Sequence, residues 1–174
     1  MTNTSEKNLP NPSEQILNEI HATFGMVPNL FQAYAKHPPL LEANWYKVKA
    51  VLLSGSLCRK TKEVMAFLVS IDNGCSYCVA AHSASLQSLG VKKTQRDALL
   101  LGHYPTELQK TDIALIKFAR KVNQQWQAIT DNDLKALQEL GINETAIIET
   151  IGVVELFAGF NRYARTLNIR VDFW

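Results

Sequence analysis

The sequence predicts an all-α protein, and three observations carry that prediction. Apolar residues recur at helical spacing along most of the chain, and apolar–polar alternation is nearly absent. Gly, Asn-Gly and Pro-Pro punctuation then cuts the chain into helix-sized pieces. Only residues 168–174 could be extended. A chain of 174 residues suits one domain, or at most two very small ones. The expected organisation is a loose polar tail over residues 1–12 and a single multi-helix bundle over 13–174.

The elements follow in order. Ser13 is placed to cap a helix to about Thr23, stopped near Gly25. Pro28-Asn29 opens a short segment over 30–36, which Pro38-Pro39 ends. Residues 40–53 set Leu41, Trp45, Val48 and Leu52 at helical spacing before Gly55. Thr61 opens a helix through Val64, Phe67, Leu68 and Ile71, closed by Asn73-Gly74. The next begins at Cys75 and stops at Gly90. Thr94 with Asp97, and Thr130 with Asp133, resemble capping boxes for helices over 95–101 and up to Gly141. Between them, residues 111–125 show Ile113, Ile116, Ala119 and Val122 on one face. Asn143 caps the last and longest helix, which reaches about Leu167.

That last helix is apolar around its whole circumference, from Ile147 to Phe160, which marks a central element that the others pack around, buried by its neighbours or by another subunit. Gly152 and Gly159 would permit a close helix crossing, and Phe173-Trp174 would dock on this chain or on a partner subunit.

Composition excludes more than it names. Eighteen Lys and Arg against sixteen Asp and Glu give a net charge of +2, too weak and too mixed for nucleic acid or an anionic membrane as main partner. The polar N-terminus does not read as a signal peptide, and the richest apolar stretch, 146–160, contains Glu149 and Glu155. The expected location is therefore cytoplasmic. Three cysteines, an odd number, do not suit a disulfide framework.

Chemistry concentrates between residues 63 and 82. Cys75, Cys78 and His82 are spaced i, i+3, i+7 and fall within about 60° of one another on a helix. Gly74 precedes them, so the thiols sit where unpaired N–H groups and the helix dipole favour a thiolate. Lowering a thiol pKa from about 8.5 to about 7 needs about 2 kcal/mol, and a helix terminus typically supplies about 0.3–1. His82, one turn beyond Cys78, is within reach of its proton, and Glu63 on the preceding helix could orient His82 or relay a proton through water. A disulfide three residues apart is geometrically allowed and closes almost no loop, which suits turnover better than fold stabilisation. Three readings stay open on spacing alone. They are redox chemistry, a zinc site from Cys75, Cys78, His82 and Glu63, and inert packing of buried thiols.

Glu63, the run Cys75-Ser76-Tyr77-Cys78 and His82 resemble the alkylhydroperoxidase D-like branch of the carboxymuconolactone decarboxylase superfamily. Residues 25–29, Gly-Met-Val-Pro-Asn, and the late pair Asn161-Arg162 are similar to its peroxidase-related members. The resemblance implies an all-helical fold, a homo-oligomer, no cofactor, and reduction of a small hydroperoxide at the expense of an external dithiol or thiol protein. It implies Cys78 as attacking thiolate, Cys75 as resolving partner, His82 as activator of Cys78, and Glu63 as the end of the proton relay. Dipole proximity alone would instead favour Cys75. Tyr77 stands where well-studied members carry a second His, and the cysteine pair argues against lactone decarboxylation. General thiol–disulfide exchange would use the same residues.

Other polar and aromatic residues read more plainly. Cys58 beside Arg59-Lys60 is an incidental thiol; His21, His37 and His103 are solvated or capping; Trp45 and Trp126 are core aromatics. Glu155 calls for an ion pair, with a partner subunit or with Arg162 or Arg165.

Overall fold

A computed structural model describes residues 12–173. The tail expected over 1–12 therefore lies outside the described residues apart from Pro12, as does Trp174. Among the described residues there are nine α-helices and no strand: α1 (Pro12–Phe24), α2 (Asn29–Tyr34), α3 (Pro38–Val48), α4 (Arg59–Asp72), α5 (Ser76–Ser88), α6 (Lys93–Leu100), α7 (Lys110–Gln125), α8 (Asp131–Glu139) and α9 (Glu144–Thr166). A π-helical turn, Lys49–Leu53, continues α3, and a 3-10 turn, Trp126–Ala128, follows α7.

The chain divides into two compact units, up to Tyr46 and from Lys47 onward. In the first, Trp45 is 2% exposed and is the centre of an aromatic cluster. Phe24 and Phe31 meet its ring edge-on at 5.7 and 5.8 Å. Its indole N–H donates to Glu19 at 2.8 Å, so the buried polar edge is paired. Pro38, expected to end the preceding segment, also opens α3, because the first helical position needs no N–H.

In the second unit α4 and α9 share the centre. Every residue of α4 from Thr61 to Ser70 is buried, and α4 packs on α5, α7 and α9. α9 packs on α4, α5, α7 and the π-helical turn. It is not enclosed on all sides: Ile148 is 61% exposed, and Glu155 lies at the surface in an ion pair with Lys47 at 3.2 Å. Within the chain the partner of Glu155 is Lys47, in the last turn of α3, and not Arg162 or Arg165. A Cβ on Gly152 would meet Val51 at 3.6 Å, an ordinary contact, while one on Gly159 would meet open space, so neither glycine is required by a close crossing within the chain. Trp126 is 63% exposed, since the 3-10 turn carries it off the apolar face of α7.

Caps set the helix starts. The Thr130 N–H and hydroxyl donate to Asp133, and Asn143 accepts from the Ala146 N–H at 2.9 Å, both as the sequence predicts. Ser13 falls one residue inside α1, and Thr94 falls inside α6, whose start is held by Gln95 accepting the Lys92 N–H at 2.8 Å. Gln95 stands three residues from Lys92, the offset that reaches its N–H, whereas Asp97 stands five away and pairs with Lys93.

Candidate active site

The site is assembled from the first turns of α4, the turn that follows α4, the first half of α5 and the inner face of α9. Gly74 adopts φ +63° and lets the chain reverse between α4 and α5. A Cβ there would come within 2.9 Å of an Arg165 nitrogen, the far end of a flexible side chain, so it is the positive φ that calls for glycine. Arg165 from α9 lies against the Asn73 and Gly74 carbonyls at 3.4 and 3.3 Å.

Cys75 is the N-cap of α5 and not part of its first turn. It is extended, with φ −92° and ψ 94°, and its sulfur accepts the Cys78 N–H at 3.4 Å. The two sulfurs lie 2.8 Å apart, within hydrogen-bond reach, and both cysteines are free thiols. They are 1% and 3% exposed. Two thiols this close share a proton, and the surroundings decide which keeps it. With Cys75 ionised, the Cys78 thiol donates to it; this bond acts with the Cys78 N–H and the positive fields of His82 and Arg165 against burial, and holds Cys75 down to about 6. Cys78 is pushed up by its bond to Cys75, by burial and by the charge on Cys75, with the Asn161 amide opposing. The first negative charge of the reduced pair therefore sits on Cys75.

Glu63 and His82 form the second half of the site. Glu63 is 1% exposed, and its Oε2 lies 2.7 Å from His82 Nδ1. Its Oε1 accepts from Arg59 Nε at 2.8 Å and Nη2 at 2.7 Å, an i, i+4 pair along α4. Burial alone would raise the Glu63 pKa; His82, Arg59 and Ser85 outweigh it and hold the carboxyl below its ordinary value. An ionised Glu63 makes Nδ1 the N–H donor, which leaves Nε2 as the nitrogen that gives and takes a proton. Phe157 of α9 meets the imidazole at 4.4 Å and 88°, fixing the ring plane. Glu63 is the only hydrogen-bond partner of His82 among the described residues, so communication with the thiols is through the field or through solvent.

The four expected residues thus come together as two pairs, Cys75 with Cys78 and Glu63 with His82. They do not converge as metal ligands. Glu63 is saturated by Arg59 and His82, and among the described residues no three His, Cys, Asp or Glu are arranged to hold a metal ion. Cys58 stands apart as the N-cap of α4, accepting from the Thr61 N–H. Four groups join the site unexpectedly: Arg59, Ser85, Asn161 and Arg165. The i, i+4 spacing of Arg59 and Glu63 was a usable signal, as was the lone amide Asn161 in an apolar helix. Ser85 and Arg165 gave none. Tyr77, between the cysteines, is covered edge-on by Phe173 at 5.7 Å, so the C-terminal segment docks on its own chain.

The site thus joins a close thiol pair at the start of α5 to a chain that runs from Arg59 and Glu63 of α4 to His82 of α5. The chain is similar to proteins of the alkylhydroperoxidase D-like, carboxymuconolactone decarboxylase superfamily. The model of the carboxymuconolactone decarboxylase family matches residues 38–120, which contain all four site residues. A peroxidase-related protein of Ralstonia eutropha JMP134, with the alkylhydroperoxidase AhpD core, superposes with a TM-score of 0.83 at 27% identity, over 94% of this chain and 87% of its own. A peroxidase-related protein of Silicibacter sp. TM1040 gives 0.81 at 25% identity, over 94% and 86%. In sequence, an alkyl hydroperoxide reductase of Mycobacterium tuberculosis is 31% identical over 91 residues, 52% of this chain and 26% of that relative. At family level these relatives point to peroxidase-related chemistry.

Proposed function

We propose that the protein is a thiol-dependent peroxidase that reduces small hydroperoxides. The observation that carries this reading is the 2.8 Å thiol pair, with Cys75 held down to about 6, beside the Glu63–His82 dyad. The Cys78 sulfur attacks one oxygen of the hydroperoxide while its proton passes to the Cys75 thiolate. The S–O bond forms, the O–O bond breaks, and the leaving alkoxide takes the proton held at His82 Nε2. Cys78 is thereby oxidised to a sulfenic acid, and the peroxide is reduced to an alcohol. Cys75 then attacks that sulfur, its proton leaves with the hydroxyl as water, and a Cys75–Cys78 disulfide forms. An external dithiol or thiol protein reduces the disulfide and is itself oxidised to one. Both thiols are buried, so the reading requires the cover over α5 to open for substrate and reductant. The homo-oligomer belongs to the same proposal, and sedimentation at micromolar concentration reads it directly.

One equivalent of an alkyl hydroperoxide should consume two thiols and leave Cys58 free. Cys75→Ser should accumulate a sulfenic acid on Cys78, captured by a carbon-acid trap, and Cys78→Ser should not turn over. Survival of all three thiols, or turnover by Cys78→Ser, overturns the reading.

A further inference from the structure

The thiols lie just under the surface and are nevertheless closed off. Gly74 and Ser76, on either side of Cys75, are exposed, while Cys75, Tyr77 and Cys78 are 1%, 4% and 3% exposed. A cover this thin is made by few residues, and the end of α9 supplies contacts on both sides of Cys75. Ahead of it, Arg165 Nη1 donates to the Asn73 and Gly74 carbonyls at 3.4 and 3.3 Å. Between the two cysteines, the Phe173 ring meets Tyr77 edge-on at 5.7 Å and 63°. The stretch 165–173 therefore passes from the turn before Cys75 to the residue before Cys78. Beyond Thr166 it is neither helix nor strand, and Val171, Asp172 and Phe173 are half-buried. The segment reverses at Asn168, whose φ of +49° is the one positive value outside glycine among the described residues. The Ile169 N–H donates to the Ala164 carbonyl at 2.9 Å, which closes the end of α9 and sets the direction in which the segment leaves.

We infer that residues 167–173 are a gate over the thiol pair, pivoting at Asn168 and shut when Phe173 lies on Tyr77, so that Phe173 controls which thiol-reactive molecules reach Cys75 and Cys78. An aromatic edge contact is worth only a few times thermal energy, far less than the helix packing beneath it, so the segment can lift while the bundle stays folded. Arg165 and the Ile169 bond hold the base of the gate, and lifting its end uncovers the Tyr77 ring with a sulfur on either side of it. Asn suits the pivot, because it takes the left-handed conformation at less cost than other side chains do. The gate supplies the opening that the peroxidase reading requires and rests on that reading for its purpose, while access to the thiols is measurable without peroxide.

The test follows alkylation of the reduced pair in a Cys58→Ser background, well above the Cys75 midpoint of about 6, so that access and not ionisation sets the rate. Phe173→Ala should react about tenfold faster, with the pH midpoint in place. Asn168→Ala strains the closed turn and should react about threefold faster, whereas Asn168→Gly takes φ +49° freely and should match native. A native rate in Phe173→Ala, or equal rates in the two Asn168 variants, overturns the inference. Amide exchange in α4 tells a lifted segment from a loosened bundle. It should be unchanged in Phe173→Ala, and a rise there in step with the thiol rate assigns access to global unfolding and overturns the gate. Peroxide treatment of the same proteins separates the gate from the reading it serves. Faster alkylation with neither sulfenic acid nor disulfide after peroxide removes the peroxidase reading, whereas peroxide turnover with native alkylation rates in every variant removes only the gate.

Discussion

At the residue scale, protonation in this site is set by partners more than by burial. Glu63 is nearly inaccessible, yet it stays ionised because Arg59 holds one oxygen and His82 the other. Its charge fixes the His82 tautomer, and His82 in turn lowers Cys75. Cys75 has a folded pKa of about 6 against an ordinary 9.0, so its charged form is favoured as the pH rises through about 6. The alkylation rate of the native pair should accordingly rise through about pH 6. Glu63→Gln removes the carboxylate that orients the His82 ring. In that variant the inflection should move upward, and peroxide consumption should fall about 10²-fold or more, as for loss of an oriented acid–base group. An alkylation profile in Glu63→Gln unchanged from native would show that the dyad does not act on the thiols.

At the element scale, the start of α4 is tied down by a buried ion pair. Lys62 is 1% exposed; it donates to the Val51 carbonyl at 2.9 Å and to the Ser54 carbonyl, and it pairs with Glu149 of α9. Glu149 also accepts the Ser56 N–H at 2.8 Å and the Leu57 N–H at 3.3 Å, closing the loop between the π-helical turn and α4. Burial would raise Glu149, but Lys62 and Ser56 hold it below its ordinary value. Gly55, at φ +101°, completes the loop, because a Cβ there would run into the Glu149 carboxylate. Lys62→Ala leaves that carboxylate half-partnered in a covered site and should cost about 3–5 kcal/mol, read from the denaturant midpoint. Since Lys62 neighbours Glu63, the variant should also weaken the site; native stability in Lys62→Ala would mean that solvent compensates the carboxylate. The N-terminal element signals were legible in part. Thr130, Asp133 and Asn143 acted as their chemistry predicts, whereas Thr94 did not, because the residue that reaches the first free N–H is decided by where the turn before it ends.

At the scale of the whole molecule, three carboxyls among the described residues are held below their ordinary values: Glu63, Glu149 and Asp133, the last at about 2 against 3.8. A carboxyl lowered by folding adds stability above its unfolded pKa and loses it as the pH falls through the folded one. Stability should therefore fall as the pH drops below 4.5, the ordinary Glu value, and continue falling toward about 2 as Asp133 protonates. Denaturant midpoints measured across that window check this, and a flat profile would contradict the assigned ion pairs. No helix of the described residues is long and apolar enough to cross a membrane.

The sequence by itself determined the helical class, most helix boundaries within a few residues, and the grouping of Glu63, Cys75, Cys78 and His82. Periodicity, caps and i, i+3, i+7 spacing are local properties, and a helix converts them directly into shared faces. Only the tertiary structure decided what those faces meet. It placed Cys75 at the cap, moved the first charge of the pair onto it, brought Arg59 and Ser85 to Glu63, and set Asn161 and Arg165 of α9 beside the thiols across more than eighty residues of chain. It also turned Trp126 and Glu155 outward, although the sequence reads Trp126 as a core aromatic and sets Glu155 in an apolar helix. The physical reason is common to all of these. Protonation and exposure depend on distance and burial in three dimensions, whereas spacing along the chain fixes neighbours only within a turn or two.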